Sequence, residues 1–513
     1  MALSVHRDAG METPPTTRRD AALSPRVLDR LALDLQELRH EVLEGEAALA
    51  DVLDAVHPEN RPSARNLVHY LSLRRHDIRA LQLRLARVGL SSLGRLEPHV
   101  LITLDRTLAM LALARGGEPP EFERPPISFG EGNRILAGNT RRLLGVRPRQ
   151  RAVHIVVTLP TEAATNPQLV HDLLVAGMTC ARVNCAHDDA AAWTAMAENV
   201  RAAANALGRE CRLLVDLGGP KLRTGAVAGD ADRLVLTVDD CFELVASDGV
   251  PMRDTARPRI ACSTPEIFRY VQPGEPIWFN DGRIGGVIEE RIDDGIIVRV
   301  THAKKGGSKL RPERGINLPE TDLTLPALTE KDVRDLATVI PWADAIELSF
   351  VQSTEDVEAL HAALSEHGAD HIGVILKIEK RRAFADLPLL LLAAMQRRSC
   401  AVMIARGDLA VEAGFERMVE VQEEILWIAE AAHVPTIWAT EVLDELAKEG
   451  TLSRAEVTDA AMAARAEAVM LNKGPFVIAA IATLDNIIDR MQDHLSKKRS
   501  LFRALSVTRS LWK

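Results

Sequence analysis

Three features that would assign a chain to a familiar class are missing from this 513-residue sequence. Its six cysteines include no Cys-x-x-Cys pair, which argues against a zinc ribbon and against a disulfide framework. No run of about 18 uninterrupted apolar residues is present to cross a bilayer. The formal net charge is −9, and a chain without a basic excess is poorly suited to general nucleic-acid binding. We therefore expect a cytoplasmic protein that binds neither membranes nor nucleic acids.

Length and composition instead indicate a globular protein with several domains. With 47% hydrophobic residues, the chain can bury two or three separate cores. We expect residues 1–20, which carry many charges and prolines, to be disordered. Leucines at helical spacing predict a helical extension of three amphipathic helices over residues 21–115. The Pro- and Gly-rich stretch that starts at Gly116 predicts a linker over residues 116–151.

The central part of the chain alternates short β-branched segments with helical ones. Eight such segments predict parallel strands with helices between them, which is the α/β pattern of a (β/α)8 TIM barrel. We assign this barrel to residues 152–225 and 314–490. Residues 226–313 interrupt it with alternating apolar runs and no long helical pattern, and they predict an inserted β-barrel domain. Residues 491–513 predict a C-terminal helical tail.

Charged and polar residues cluster at the carboxyl ends of the predicted strands. That end of a TIM barrel carries the active site, because the βα loops meet there. Several charges at one rim are hard to explain by stability alone, since each desolvated charge needs a partner. The residues at or just beyond these strand ends are Arg182, Asn184, Asp216, Lys221, Arg223, Lys377, Glu379, Gly407, Asp408, Thr440 and Glu441.

The kinds of side chain at this rim favour phosphoryl transfer. Glu379 and Asp408 offer the hard oxygen ligands that Mg²⁺ and Mn²⁺ prefer. Arg182, Arg223 and Lys377 can neutralise the charge that spreads over a phosphoryl group during its transfer. The residues by themselves therefore predict a metal-assisted phosphotransferase.

Seven sequence runs in this region resemble, in the same order, the successive signatures of the pyruvate kinase family. The resemblance extends from about residue 153 to about residue 474. It implies that the inserted domain is a mobile lid. It also implies transfer of a phosphoryl group from phosphoenolpyruvate to ADP in glycolysis, giving pyruvate and ATP, with Mg²⁺ or Mn²⁺ as cofactor. The runs are AGMTCARVNCAH, LLVDLGGPKLRTG, FNDG, RGINLPETDLTLPALTEKD, ILKIEK, VMIARGDLAVE and WATEVLDEL.

The resemblance also implies roles for individual residues. Lys377 would stabilise the transferring phosphoryl group and the enolate, and Thr440 would lie on the route that protonates the enolate. Glu379 and Asp408 would bind the divalent metal. The backbone amides of Gly407 and Asp408, with the Thr440 hydroxyl, would bind the substrate carboxylate. The residues implied for nucleotide and phosphoryl oxygens, the catalytic arginine first, are Arg182, Arg223, Asp281 and Arg314.

The monovalent-cation region departs from the family pattern. Members that require K⁺ hold it with an Asn, a Ser, an Asp and a Thr, and Asn184 and Asp216 are retained here. Ala186 and Leu217 stand at the other two positions. Lys221 replaces a glutamate of the K⁺-dependent members, and its ammonium group can supply the missing positive charge. The resemblance therefore predicts that K⁺ is not required.

Further departures leave parts of the function open. Residues 158–161, residues 472–475 and Glu441 differ from the family's usual runs, so the nucleotide preference is not assigned. The family's C-terminal regulatory domain is not expected. The N-terminal helices could form a homo-oligomer interface, cap the bottom of the barrel or bind another partner.

Two other functions compete with a kinase. One is an enolate-forming lyase or decarboxylase that acts on pyruvate or phosphoenolpyruvate with the same Lys377 and carboxylates. The retained lid, with Arg223 and Asp281, disfavours this option because a lyase needs no nucleotide clamp. The other is a non-catalytic scaffold that senses a metabolite. The presence of Lys377 and of both predicted metal carboxylates disfavours it.

Overall fold

The computed structural model describes residues 24–148, 151–229, 231–246, 257–492, 494–496 and 499–500. The predicted disordered segment, residues 1–20, lies outside the described residues. Every helix in the described part of the chain is too short or too polar to span a membrane.

The N-terminal extension is helical, but two of its three predicted helices are broken. Helix α1 packs its buried leucine face against α3 and α5. The first predicted helix, over residues 27–56, is interrupted at Leu49. The second, predicted from Ser63 to Gly89, is interrupted at residues 75–78. The helices are α1 (Pro25–Ala48), α2 (Ala50–Ala55), α3 (Arg61–Arg74), α4 (Arg79–Arg87) and α5 (Val100–Ala114).

A sixth helix lies inside the predicted linker and corrects that prediction. Helix α6 spans Glu131–Leu144, and the Glu131 carboxylate accepts hydrogen bonds from the backbone and the hydroxyl of Ser128 at its start. Leu143 and Leu144 are buried inside the barrel with apolar residues of several strands. The Pro- and Gly-rich sequence just before α6 concealed the helix, whose stability comes from this tertiary packing.

The extension is fastened to the barrel at the amino ends of the strands, opposite the predicted active site. The Asn60 side chain donates to the carbonyls of Met395 and Arg397 at 3.1 and 2.8 Å. The Asn66 side chain donates to the carbonyls of Glu97 and Ala431 at 2.7 and 2.8 Å. Since buried polar groups require partners, these bonds fix the docking of the extension. The helices therefore cover the bottom of the barrel.

His433 completes this junction as a neutral side chain. Its Nε2 donates to the Pro98 carbonyl at 2.9 Å, and its Nδ1 lies 2.9 Å from the Ser63 hydroxyl. Burial lowers the pKa of His433 from its ordinary 6.5 to about 4. The unfolded chain therefore binds the proton first, and the stabilisation by neutral His433 is lost as the pH falls from about 6.5 towards 4.

We expect the free energy of unfolding to fall by about 2 kcal/mol more in the wild type than in His433→Gln between pH 7 and pH 5. Chemical denaturation at both pH values measures this difference. His371→Gln is the control, because His371 is exposed. Equal pH dependence in the wild type and His433→Gln would contradict the role assigned to His433.

Eight parallel strands close the central barrel, as predicted. Their bounds are His154–Thr158, Cys180–Asn184, Arg212–Asp216, Ala345–Leu348, Gly373–Ile378, Cys400–Ala405, Thr436–Ala439 and Ala468–Leu471. The helices around them are Pro167–Ala176, Ala190–Ala206, Glu330–Val339, Thr354–Glu366, Arg381–Ala385, Leu387–Ala394, Arg406–Ala413, Met418–Ala431, Asp444–Glu449, Arg454–Ala463 and Val477–Gln492. The strands are buried over nearly their whole length, which is why they are rich in Val, Ile, Leu and Ala.

The inserted domain has its own sheet and its own apolar core. That core contains Phe242 and Phe279, whose rings meet edge to face with centroids 5.5 Å apart. The sheet is slightly wider than the predicted range 226–313. Its strands are Thr224–Val227, Cys241–Ala246, Arg259–Cys262, Pro276–Phe279, Ile284–Ile292, Gly295–His302 and Ile316–Asn317. A separate two-stranded ladder joins Leu234–Leu236 to Ser308–Leu310.

The predicted helical tail over residues 491–513 is helical only at its first two residues, and among the residues described after them it is wrong. The last barrel helix ends at Gln492, and Leu495–Ser496 pairs with Arg499–Ser500 in an antiparallel ladder. That pairing uses backbone groups that a continued helix would need. The rest of the predicted tail lies outside the described residues.

Candidate active site

Arg182 lies at the centre of a buried charge network at the carboxyl end of the barrel. It extends from the second barrel strand, and its Nε donates to Glu347 Oε2 at 2.9 Å. Its Nη1 donates to the Thr158 hydroxyl at 2.9 Å, and its Nη2 donates to Asp216 Oδ2. Side chains of the first, third and fourth barrel strands therefore fix this guanidinium group, which extends from the second strand.

Lys377, on the fifth barrel strand, is the second cation of this network. Its Nζ lies 2.8 Å from Asp216 Oδ1, 2.7 Å from the Ser349 hydroxyl and 3.1 Å from Glu379 Oε1. Burial by itself would lower the pKa of Lys377, but Asp216 and Glu379 raise it above its ordinary value. Lys377 is therefore held as a positively charged hydrogen-bond donor rather than as a base.

The two carboxylates beside Lys377 respond to their surroundings in opposite ways. Burial would raise the pKa of Asp216, but Arg182 and Lys377 together hold it below its ordinary value. Burial raises the pKa of Glu379, and the charge of Asp408 acts in the same direction. The negative charge of Asp408 therefore adds to the effect of burial in disfavouring ionised Glu379.

Asp408 lies in the first turn of the helix Arg406–Ala413, directly after the sixth strand. Its carboxylate is 3.1 Å from Lys221 Nζ and 3.3 Å from the Asn317 amide nitrogen. Burial opposes its ionisation, but Lys221 and Asn317 lower the pKa of Asp408 below its ordinary value. The Asn317 amide also reaches Glu412 Oε1 at 3.3 Å, and burial raises the pKa of Glu412.

The start of the same helix meets the loop after the seventh strand. The Gly407 amide donates to the Thr440 hydroxyl at 2.8 Å. Thr440 and Glu441 have φ values of 62° and 56°, a conformation that is strained for residues with a side chain. Arg406 holds this loop by donating to the Ala439 carbonyl at 3.1 Å and to Asp459 at 2.5 Å. The strained loop therefore keeps Thr440 beside an amide at a helix amino end.

The residues predicted for the nucleotide are placed less tightly. The Arg223 guanidinium donates to the Glu313 carbonyl at 3.2 Å, at the junction of the lid and the barrel. Asp281 has a φ of 55°, and its carboxylate lies near Gly315. The backbone amide of Arg314 donates to the Thr224 hydroxyl at 2.9 Å. Gly282 approaches Val411 so closely that a Cβ there would lie 3.2 Å from it, so the lid tip rests on the helix that carries Asp408.

The monovalent-cation region is arranged differently from the simplest expectation. Asn184 and Asp216 are paired in register on neighbouring strands, and Asn184 Oδ1 accepts from the Ala186 amide at 2.9 Å. The ion-pair partner of Lys221 among the described residues is Asp408. The Lys221 ammonium therefore lies at the predicted divalent-metal side of the mouth.

Sequence reasoning missed two central members of the network, Glu347 and Ser349. The Ser349 hydroxyl, which has one hydrogen to donate, lies 3.0 Å from Asp216 Oδ1 and 2.7 Å from the Leu217 carbonyl oxygen. Both residues are buried, and Ala345, two positions before Glu347, lines the barrel interior. Because side chains alternate along a strand, polar residues at 347 and 349 share that inward face. This alternation was the available signal.

The donor set at the mouth fits a hard divalent cation. Among the described residues, no group of three or more His, Cys, Asp or Glu side chains is arranged to hold a metal ion. Glu379, which is buried, and Asp408, which is half-buried, nevertheless follow two neighbouring strands of the barrel. Mg²⁺ commonly binds through one or two carboxylates and completes its shell with water and substrate oxygens. The two carboxylates of Glu379 and Asp408 are therefore enough protein ligands for such a cation, and a larger cluster is not needed.

The sequence is similar to known proteins of one family. The family model described as "Pyruvate kinase, barrel domain" matches residues 150–475. A pyruvate kinase of Mycobacterium intracellulare is 33% identical over 353 residues, which cover 66% of this chain and 70% of that protein. A pyruvate kinase of Methylorubrum extorquens is 34% identical over 351 residues, with 67% and 69% covered. A third, from Corynebacterium efficiens, is 33% identical over 332 residues, with 63% and 65% covered.

The residues that match the family model, 150–475, include every strand of the barrel, the inserted lid and all the candidate site residues. The sequence runs, the closed barrel with its lid and the matches lead to the same assignment. The chain belongs to the pyruvate kinase family and is a phosphotransferase enzyme.

Proposed function

We propose that this chain transfers the phosphoryl group of phosphoenolpyruvate to ADP, giving pyruvate and ATP, and that it uses Mg²⁺ or Mn²⁺ without requiring K⁺. The observation that carries the proposal is the position of Lys377 Nζ, within hydrogen-bond distance of Asp216, Ser349 and the predicted metal ligand Glu379. This reaction would place the protein in glycolysis and in the cytoplasm. The proposal extends to every site residue named from the sequence.

The phosphoryl group would be bound between the two buried cations. Arg182 and Lys377 are held by carboxylates and hydroxyls, so their charges are preorganised before substrate binds. Such fixed charges stabilise the transition state because they need no reorganisation during the reaction. Glu379 and Asp408 would hold the divalent cation, which when bound supplies positive charge to the substrate oxygens.

The substrate carboxylate would be bound where the Gly407 amide meets the Thr440 hydroxyl. Backbone amides at the amino end of a helix attract anions, and the Asp408 amide belongs to the same turn. The Thr440 hydroxyl would then lie beside the enolate that remains after phosphoryl transfer. We assign it to the route by which that enolate is protonated to give pyruvate.

The nucleotide would lie between the barrel rim and the lid. Arg223 and Arg314 come from the segments that join these two domains, and Asp281 lies at the lid tip. Arg182 reaches the same mouth from the second barrel strand. Two arginines can neutralise phosphate oxygens of ADP. The contact of Gly282 with Val411 gives the lid a direct connection to the helix of the metal carboxylate Asp408.

Lys221 carries the proposed independence from K⁺. Its ammonium lies 3.1 Å from Asp408 and 5.8 Å from the centre of the Phe350 ring, so a fixed positive charge is already present at the mouth. We expect turnover to change by less than about threefold when KCl replaces a tetramethylammonium salt at constant ionic strength. Lys221→Glu is expected to create a K⁺ requirement of about tenfold or more.

The control for this prediction is Lys309→Glu, on an exposed position of the lid. That variant makes the same charge change away from the mouth and should behave like the wild type. A wild-type enzyme that gains orders of magnitude in rate on addition of KCl would refute the independence from K⁺.

A lactate dehydrogenase-coupled assay tests the proposed reaction. Purified full-length chain with phosphoenolpyruvate, ADP and Mg²⁺ should produce pyruvate, and omission of ADP should abolish the signal. Pyruvate production that does not need ADP would favour the lyase-like alternative. Absence of any activity, together with binding of phosphoenolpyruvate, would favour the metabolite-sensing scaffold.

A further inference from the structure

Glu347 is a buried carboxylate that the proposed reaction does not yet use. It lies on the fourth barrel strand, Ala345–Leu348, and is 0% exposed. Its Oε2 accepts from Arg182 Nε at 2.9 Å. Its Oε1 is buried and has no hydrogen-bond partner among the described residues. An ionised oxygen without a partner is unfavourable in a protein interior, so its retention calls for an explanation other than stability.

The charges around Glu347 show what it changes. Asp216 pairs with both Arg182 and Lys377, and Glu379 pairs with Lys377, so the two cations are already matched by two carboxylates. Burial raises the pKa of Glu347, but the ion pair with Arg182 at 2.9 Å favours its ionised form. In that form Glu347 adds one further negative charge to the place that would bind a phosphoryl group. At short range in a poorly solvated site, one such charge repels an anionic substrate appreciably.

The geometry of the guanidinium shows what Glu347 supplies. Arg182 has five N–H groups in a rigid plane. One is donated to Glu347, one to Thr158 and one to Asp216, so contacts on three nitrogens define the plane. One N–H group on each Nη remains for a ligand. Loss of the Nε contact would leave the side chain free to turn about the other two.

We propose that Glu347 is a positioning residue that orients Arg182 for phosphoryl transfer and, through its negative charge, weakens the binding of phosphoenolpyruvate. This inference rests on the proposed function, because it assigns Arg182 to the transferring phosphoryl group. It differs from a purely structural role for the ion pair. A buried ion pair that served stability alone would change the unfolding midpoint and leave the kinetic constants unaltered.

Two substitutions separate the charge of Glu347 from its hydrogen bond. Glu347→Gln retains an oxygen that can accept from Arg182 Nε but removes the charge. We expect it to lower the KM for phosphoenolpyruvate about tenfold, with kcat within about threefold of the wild type. Glu347→Ala removes the hydrogen bond as well, and we expect its kcat to fall about 30-fold. Gln should thus rescue the rate that Ala loses.

Glu243→Gln is the matched control. Glu243 pairs with Arg259 at 2.5 Å inside the lid, and both are buried strand residues, like Glu347 and Arg182. Its substitution should change stability without the split between KM and kcat. Thermal unfolding of every variant identifies any that fail to fold, and Glu347→Gln, which keeps the side-chain volume, remains informative if Glu347→Ala does not fold.

Calorimetric titration with phosphoenolpyruvate and Mg²⁺, without ADP, measures substrate affinity independently of turnover. Tighter binding by Glu347→Gln than by the wild type supports the inference. Equal affinity and equal kcat across wild type, Gln and Ala would overturn it while an active wild type left the proposed function standing. A wild type that binds phosphoenolpyruvate but does not form ATP would instead overturn the proposed function. The calorimetric affinities of the wild type and Glu347→Gln would in that case still test whether the charge of Glu347 weakens phosphoenolpyruvate binding.

Discussion

Replacing Lys377 with methionine is expected to lower kcat for phosphoryl transfer about 1,000-fold or more, the largest loss for any single residue of the site. Methionine keeps the length of the side chain but removes the charge that lies among Asp216, Ser349 and Glu379. Lys377 is protonated over the working pH range, because neighbouring carboxylates raise its pKa. In the proposed reaction, its contribution would therefore grow as charge develops on the phosphoryl group and the enolate.

The same substitution should affect binding much less than rate. We expect the affinity for phosphoenolpyruvate to fall by about tenfold or less, since Arg182 and the metal site remain. Steady-state kinetics with the coupled assay and calorimetric binding measure the two quantities separately. Lys305→Met, at a turn of the lid where the side chain is exposed, is the control and should retain wild-type kinetics. Wild-type turnover by Lys377→Met would refute the assignment of Lys377.

Replacing Glu379 with glutamine is expected to weaken Mn²⁺ binding about 100-fold and to lower kcat/KM by a similar or larger factor. Glutamine conserves the shape of the side chain but lacks the charge that a divalent cation prefers. Of the two carboxylates predicted to bind the metal, Glu379 and Asp408, only that of Asp408 would then remain. Electron paramagnetic resonance of free Mn²⁺ measures the binding without any need for turnover.

Glu412→Gln is the matched control for this experiment. Glu412 is also buried at the mouth, burial also raises its pKa, and it shares the Asn317 amide with Asp408. If the metal is bound by Glu379 and Asp408, Glu412→Gln should change Mn²⁺ affinity by no more than about threefold. Equal Mn²⁺ affinity in the wild type and Glu379→Gln would remove Glu379 from the metal site.

The fold was predictable from sequence wherever a segment showed its own periodicity. The barrel strands are short, β-branched and bounded by polar residues, so each one was visible separately. Helix α6 was not, because its stability depends on the insertion of Leu143 and Leu144 into a barrel that forms far along the chain.

The candidate site divides in a similar way. Residues that follow a strand directly, such as Lys377 and Asp408, could be placed at the rim because a TIM barrel brings all strand ends together. Glu347 was hidden within a strand that read as structural, and its significance appears only with Arg182 Nε at 2.9 Å. Lys221 was expected near Asn184, but its flexible stem reaches Asp408, a choice that sequence position does not determine.

The N-terminal helices give the barrel a second stabilising contact region. Their polar contacts converge on the loops at Met395, Arg397 and Ala431, together with His433, at the amino ends of the strands. In a TIM barrel, residues at this face contribute to stability, whereas the active site lies at the opposite face. The extension can therefore stabilise the barrel without touching the phosphoryl site.

Time-resolved ³¹P nuclear magnetic resonance of the purified full-length chain tests the central claim most directly, because it detects phosphoenolpyruvate, ADP and ATP in one sample. In a potassium-free buffer with Mg²⁺ and ADP, we expect one ATP to appear for each phosphoenolpyruvate that is consumed. When ADP is omitted, we expect the amount of phosphoenolpyruvate to stay constant and no ATP to form. Consumption of phosphoenolpyruvate without equivalent formation of ATP, or formation of ATP only after K⁺ is added, would contradict it.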